Sequence, residues 1–162
     1  MTKNPKPKIK PRKKNQIKKI LVIHGPNLHI LGQREPQIYG NFTLEDINKS
    51  LLKKARQNNA AIEIIQSNSE SKIVDKITKT NFDFLIINPA AYTHTSVAIR
   101  DAMLGTKKPA IEIHISNIFK REEFRRKSLI SDVVIGVISG LGAQGYLLAL
   151  DSALYILKNN QA

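Results

Sequence analysis

The sequence predicts an α/β domain built on a buried parallel sheet. From Lys19 onward, short apolar runs alternate with segments of helical apolar spacing, and the runs are too apolar for a sheet with one face in water. The polar groups Asn27, Asn88, His94, His114 and Ser116 all fall just past the first, third and fourth apolar runs. In an open parallel sheet that is where ligands bind.

Five strands are predicted: Ile20 to His24, Ala61 to Gln66, Phe84 to Asn88, Ala110 to His114 and Val133 to Val137. The first helix spans Thr43 to Asn58, with Thr43 as N-cap, Asp46 in the capping-box position, and Leu44, Ile47, Leu51 and Ala55 at helical spacing. Further helices are predicted over Ser69 to Lys79, Ser96 to Leu104, Arg121 to Lys127 and Ala143 to Lys158. Two connections after strands depart from simple alternation, Gly25 to Phe42 and Asn88 to Thr95, and loops of that kind are usually functional or disordered. At 162 residues and 41% hydrophobic content the chain has room for one domain with one core.

The net charge of +13 is unevenly placed. Nine of the 26 Lys and Arg lie in residues 1 to 19, which hold no acid, so 17 face all 13 acidic residues in the remainder. With Pro5, Pro7 and Pro11 among its lysines, the segment 1–18 reads as a disordered basic extension ahead of a domain over 19–162. The rival reading is electrostatic contact with nucleic acid, membrane or an acidic partner. No apolar run is long enough to span a bilayer and the first residues lack the apolar core of a secretory signal, so a soluble cytoplasmic protein is expected. The absence of cysteine excludes disulfides, thiolate catalysis and cysteine-bound zinc.

Several patterns compete for the chemistry. Gly140 to Gly145 fits GxGxxG between a strand and a helix, but only 17 residues follow, too few for the next strand and its acidic ribose partner. A tight turn with close helix packing is the better reading. The four histidines lack HxH or HExxH spacing, so no metal site is predicted. Glu112 and His114 sit two apart on a strand and face the same side. They are either a carboxylate tuning an imidazole or a buried hydrogen-bonded couple. In the first long loop Tyr39 follows Arg34, and a nearby cation makes a tyrosinate base accessible; the alternative is a packing tyrosine with its hydroxyl at the surface.

The stretches Gly25-Pro-Asn-Leu28 with Gly32-Gln-Arg-Glu-Pro-Gln-Ile-Tyr-Gly40, Asn88 to Asp101, and Glu112-Ile-His-Ile-Ser-Asn117 with Arg121-Glu-Glu-Phe-Arg125 resemble the three signatures of type II 3-dehydroquinate dehydratases. The resemblance runs over about residues 19 to 158 in the family's order and spacing. It implies a flavodoxin-like three-layer fold with a five-stranded sheet of order 2-1-3-4-5, and the trans-dehydration of 3-dehydroquinate through an enolate, without cofactor or metal. It also implies roles. Tyr39 is the base at C2, Arg34 stabilises its anion, and Asn27 holds a water at the enolate oxygen. His114, oriented by Glu112, protonates the leaving C1 hydroxyl. Asn88, Ile115 and Ser116 bind the substrate carboxylate, and His94 and Arg125 hold ring hydroxyls. Asp101 reaches a neighbouring subunit's site in a dodecamer of trimers. His24 and Gln33 are the departures, His24 standing where an amide is common in the family.

Two other readings are weighed. A flavodoxin-like binding protein without catalysis is opposed by the full set of catalytic side chains. The imine-forming dehydratase needs a barrel of about 250 residues. Deleting residues 1 to 17 is expected to leave specific activity within about twofold, since a charged extension contributes neither core nor strand-end groups; a larger loss in a folded truncation, by the same activity assay, counts against this division of the chain.

Overall fold

The computed structural model describes residues 17–33 and 42–159. Five parallel strands form one sheet: β1 (Lys18–His24), β2 (Ala60–Gln66), β3 (Phe84–Asn88), β4 (Ala110–His114) and β5 (Gly136–Ser139), in the order β2-β1-β3-β4-β5. Four α-helices cover it: α1 (Leu44–Gln57), α2 (Glu70–Lys79), α3 (Val97–Thr106) and α4 (Gln144–Asn159). This is the predicted three-layer arrangement, with β1 starting two residues earlier, at Lys18.

Alternation along the strands divides the core between two layers. Ile20 and Val22 of β1, Phe84 and Ile86 of β3, and Ile111 and Ile113 of β4 pack against α1 and α4. Leu21 and Ile23, with Leu85 and Ile87, pack against α2 and α3. The helices start where their caps dictate. Thr43 Oγ1 accepts from the Asp46 N–H at 3.2 Å while Asp46 Oδ2 accepts from the Thr43 N–H at 3.0 Å, the complete capping box. Leu44, Ile47, Leu51 and Ala55 are its buried stripe. Ser69 and Ser96 cap α2 and α3.

Three expectations are corrected. Arg121 to Lys127 is not an α-helix: it holds one short 3-10 turn, Glu123–Arg125, preceded by another at Ile118–Lys120. Its one apolar side chain, Phe124, is exposed, so no apolar stripe rewards a longer helix. The last strand begins at Gly136, not Val133, because the Val133 N–H closes a turn onto Ile130 O and pairing with β4 starts at Ile111 and Gly136. The sheet is buried only at its centre; β2 and β5, the edges, are partly exposed along much of their length.

The glycine-rich segment before α4 is the expected turn. Gly140 and Gly142 have φ of 89° and 59°, and a Cβ on Gly145 would stand 3.0 Å from Ile113 Cδ1, so the helix start rests directly on the sheet. Gly25, just past β1, is tighter. Its N–H donates to Asn88 O at 2.7 Å, and a Cβ there would lie 2.4 Å from Pro89 O. Gly25→Ala is expected to cost on the order of 2–3 kcal/mol through forced backbone movement, read as a lower urea midpoint with unchanged slope.

Candidate active site

The carboxyl ends of β1, β3 and β4 open into a cleft of about 320 Å³. Among the predicted residues, Asn27, Asn88, His94, His114, Ile115, Ser116 and Arg125 line it. Glu112 is fully buried behind His114, and Asp101 lies on the exposed side of α3, outside the cleft lining. Arg34 and Tyr39 fall outside the described residues.

His114 and Glu112 form a buried hydrogen-bonded pair. His114 Nε2 is 2.7 Å from Glu112 Oε1, and since an ionised carboxylate only accepts, Nε2 must carry the proton and Nδ1 is left for the cleft. Glu112 also accepts from Thr93 Oγ1 and lies 2.9 Å from Ser128 Oγ. Burial alone would push this carboxyl up, but the hydrogen bonds from His114, Thr93 and Ser128 outweigh it and hold it below the usual carboxylate range. The pair leaves a ring nitrogen of a cleft-lining histidine available to a ligand, with an ionised carboxylate fixing the ring's orientation behind it.

His94 is oriented the opposite way. Its Nδ1–H donates to Lys127 O at 2.7 Å, so Nε2 is free to accept from a hydroxyl. Arg125 Nε stands 3.2 Å from Glu122 Oε2 without hydrogen-bond geometry and is otherwise unpaired among the described residues, so the guanidinium keeps donors for a ligand. Asn27 adopts a left-handed backbone, φ 67°, held by its N–H donating to Asn68 Oδ1 at 3.0 Å. Gln66 Nε2 donates to Asn68 Oδ1 and Gly25 O, bracing the same turn.

Opposite Asn88 in the sheet sits His24, the departure noted above. Its Nδ1 is 3.0 Å from Tyr146 Oη and its Nε2 2.9 Å from Asn48 Oδ1, while Asn88 Nδ2 donates to the same Tyr146 hydroxyl at 3.0 Å. Burial pushes the Tyr146 phenol well above its ordinary range, so it remains an O–H. Among the described residues no cluster of three His, Asp or Glu is placed to hold a metal ion, and no helix is long and apolar enough to cross a membrane.

The family model for dehydroquinase class II matches residues 18–154. The chain belongs to the class II dehydroquinase family. Its similarity to the 3-dehydroquinate dehydratase of Francisella philomiragia is 60% identity over 135 residues, covering 83% of this chain and 93% of the relative. The enzyme of Francisella tularensis subsp. novicida is 59% identical over the same coverage. The type II dehydroquinase structures from Butyrivibrio crossotus and Propionibacterium acnes superpose with TM-scores of 0.83 and 0.80 at 45% and 44% identity, each covering 85% of this chain and 97% of the other.

For a class II dehydroquinase the sequence reading missed the supporting residues Thr93, Ser128 and Tyr146. Thr93 adjoins His94 inside a recognised signature, so its position was visible though its partner was not. Nothing local marks Tyr146, which meets His24 across 122 residues.

Burial lowers the His24 pKa to about 4, with the Asn48 hydrogen bond acting the other way. An unfolded histidine titrates near 6.5, so between these values the unfolded chain binds the additional proton and folding weakens as pH falls. The contribution is complete above about pH 6.5 and lost on the way down to about 4, on the order of 3 kcal/mol in all. Urea unfolding between about pH 7.5 and 4.5 should show this loss, and His24→Asn, which cannot titrate, should flatten it.

Proposed function

We propose that the chain is a 3-dehydroquinate dehydratase of the shikimate pathway, serving aromatic amino acid biosynthesis and converting 3-dehydroquinate to 3-dehydroshikimate and water. The observation that carries the reading is His114, backed by a buried ionised Glu112 on one nitrogen and turned to the cleft by the other.

A proton beside a ketone becomes removable when charge on the enolate oxygen is stabilised by placed donors. Tyr39, as tyrosinate beside Arg34, takes the C2 proton and the electron pair moves onto the C3 oxygen. Asn27, at the rim of the cleft, holds the water that donates to that oxygen. The enolate then collapses, the C1–O bond breaks, and His114 delivers its proton to the departing hydroxyl. Hydroxide is a poor leaving group unprotonated, so base and acid must be separate groups with different environments.

Asn88, Ile115 and Ser116 hold the substrate carboxylate at the ends of β3 and β4. His94, accepting at Nε2, and Arg125 hold ring hydroxyls. No electron or group is transferred to an acceptor, so the reaction requires no cofactor. The reading carries with it a cytoplasmic homo-oligomer, trimers assembled into a dodecamer. Asp101 on the outer face of α3, and the exposed Ile135 and Val137 at the β5 edge, offer contact surface for it.

The test is absorbance of the conjugated enone product with purified protein and 3-dehydroquinate; no enone from the wild type rejects the function. Tyr39→Phe should lose at least about 100-fold in kcat, the usual cost of deleting a catalytic base, while still binding substrate. Retention of more than about a tenth of wild-type turnover would move the base role to His114.

A further inference from the structure

The hydrogen-bond chain between Asn48 and Asn88 has only one consistent assignment of protons. The amide of Asn88 is oriented by the Ala90 N–H, which donates to its Oδ1 at 3.1 Å. Nδ2 therefore faces Tyr146 and can only donate. The Tyr146 hydroxyl accepts there, so its own proton must go to the other neighbour, His24 Nδ1 at 3.0 Å, and that nitrogen must be bare. The ring then holds its proton on Nε2, which meets Asn48 Oδ1 at 2.9 Å. In the other tautomer the ring would donate to Tyr146 as well, and a hydroxyl with no exposed surface would be left without an acceptor.

We propose that His24 is a positioning residue for substrate binding: through the Tyr146 hydroxyl it anchors one N–H of Asn88 and leaves the second directed to the cleft. The proposal rests on the reading that Asn88 binds the substrate carboxylate. The four residues come from α1, β1, α4 and β3, so the chain ties three sequence-distant elements to the strand end that carries Asn88. His24 and Asn88 are register partners, and both point to the layer of α1 and α4, where Tyr146 fills the space between them. The rings of His24 and Tyr146 stand 5.1 Å apart and tilted by 57°, packed as well as hydrogen-bonded. Without the hydroxyl, the amide would keep only the Ala90 contact and could swing about its last torsion.

The experiment is a double-mutant cycle on kinetics with 3-dehydroquinate, together with the tautomer of His24 in the full-length protein. Asn88→Ala should raise KM about tenfold or more. Tyr146→Phe and His24→Leu should each raise KM about tenfold with kcat within about threefold, and should add less than about twofold in the Asn88→Ala background. Residues that serve packing alone would add their effects in full. If Asn88→Ala leaves KM unchanged, the substrate-binding reading of Asn88 fails and this proposal with it. If Asn88→Ala raises KM but the other two do not, or add in full, the proposal alone is overturned. Should the variants not fold, nitrogen chemical shifts of labelled histidine in the wild type decide it: His24 protonated on Nε2 at neutral pH supports the chain, and protonation on Nδ1 overturns it.

Discussion

Parallel pairing of β1 with β3 places His24 opposite Asn88 on the last rung, and the polar end of the molecule depends on how closely those two strand ends approach. Gly25 donates its N–H to Asn88 O just beyond, in a space where a Cβ would collide with the Pro89 carbonyl. The contact sends the two chains apart in different directions. One leads through Asn27 into the long first loop, the other through the 3-10 turn Ala90–His94 toward α3. The cleft is the gap between those diverging paths, as expected where connections part at the end of a parallel sheet.

Strand alternation then divides the site's work between the two layers. Glu112 and His114 face the side of α2 and α3, where Thr93 and Ser128 supply the hydroxyls that keep a buried carboxylate ionised. Asn88 and His24 face the side of α1 and α4, where Tyr146 links them. The carboxylate–imidazole pair and the neutral chain through Tyr146 thus occupy opposite faces of one sheet and meet only past its end. Glu112, His114, Asn88, His24 and Tyr146 each have a partner, which is what makes them tolerable in an interior of Ile, Leu and Phe.

Much of this was legible from local pattern. The stripe of α1 and its Thr43–Asp46 box, the five apolar runs and the same-face spacing of Glu112 and His114 are one-dimensional signals, each confined to a single element. The failures are instructive for the same reason. Arg121 to Lys127 has charge composition suited to a helix, yet its only apolar side chain points to water and no neighbour supports a full turn. The fifth strand was displaced because its hydrophobic run serves first as a turn: Val133 and Val134 pack into the α2–α3 layer before pairing begins at Gly136.

By itself the sequence determined the class of the domain, the order of its elements and, through motifs retained at family spacing, the family and the residues proposed for its chemistry. Those properties follow from periodicity and from residue types that a reaction demands. Only the tertiary structure decided which nitrogen of His114 meets Glu112, which way the Asn88 amide is turned, and that His24 is buried between Tyr146 and Asn48. Hydrogen-bond direction depends on the partner across space, and His24 and Tyr146 lie 122 residues apart along a chain that brings them together only when β1 and α4 share a core.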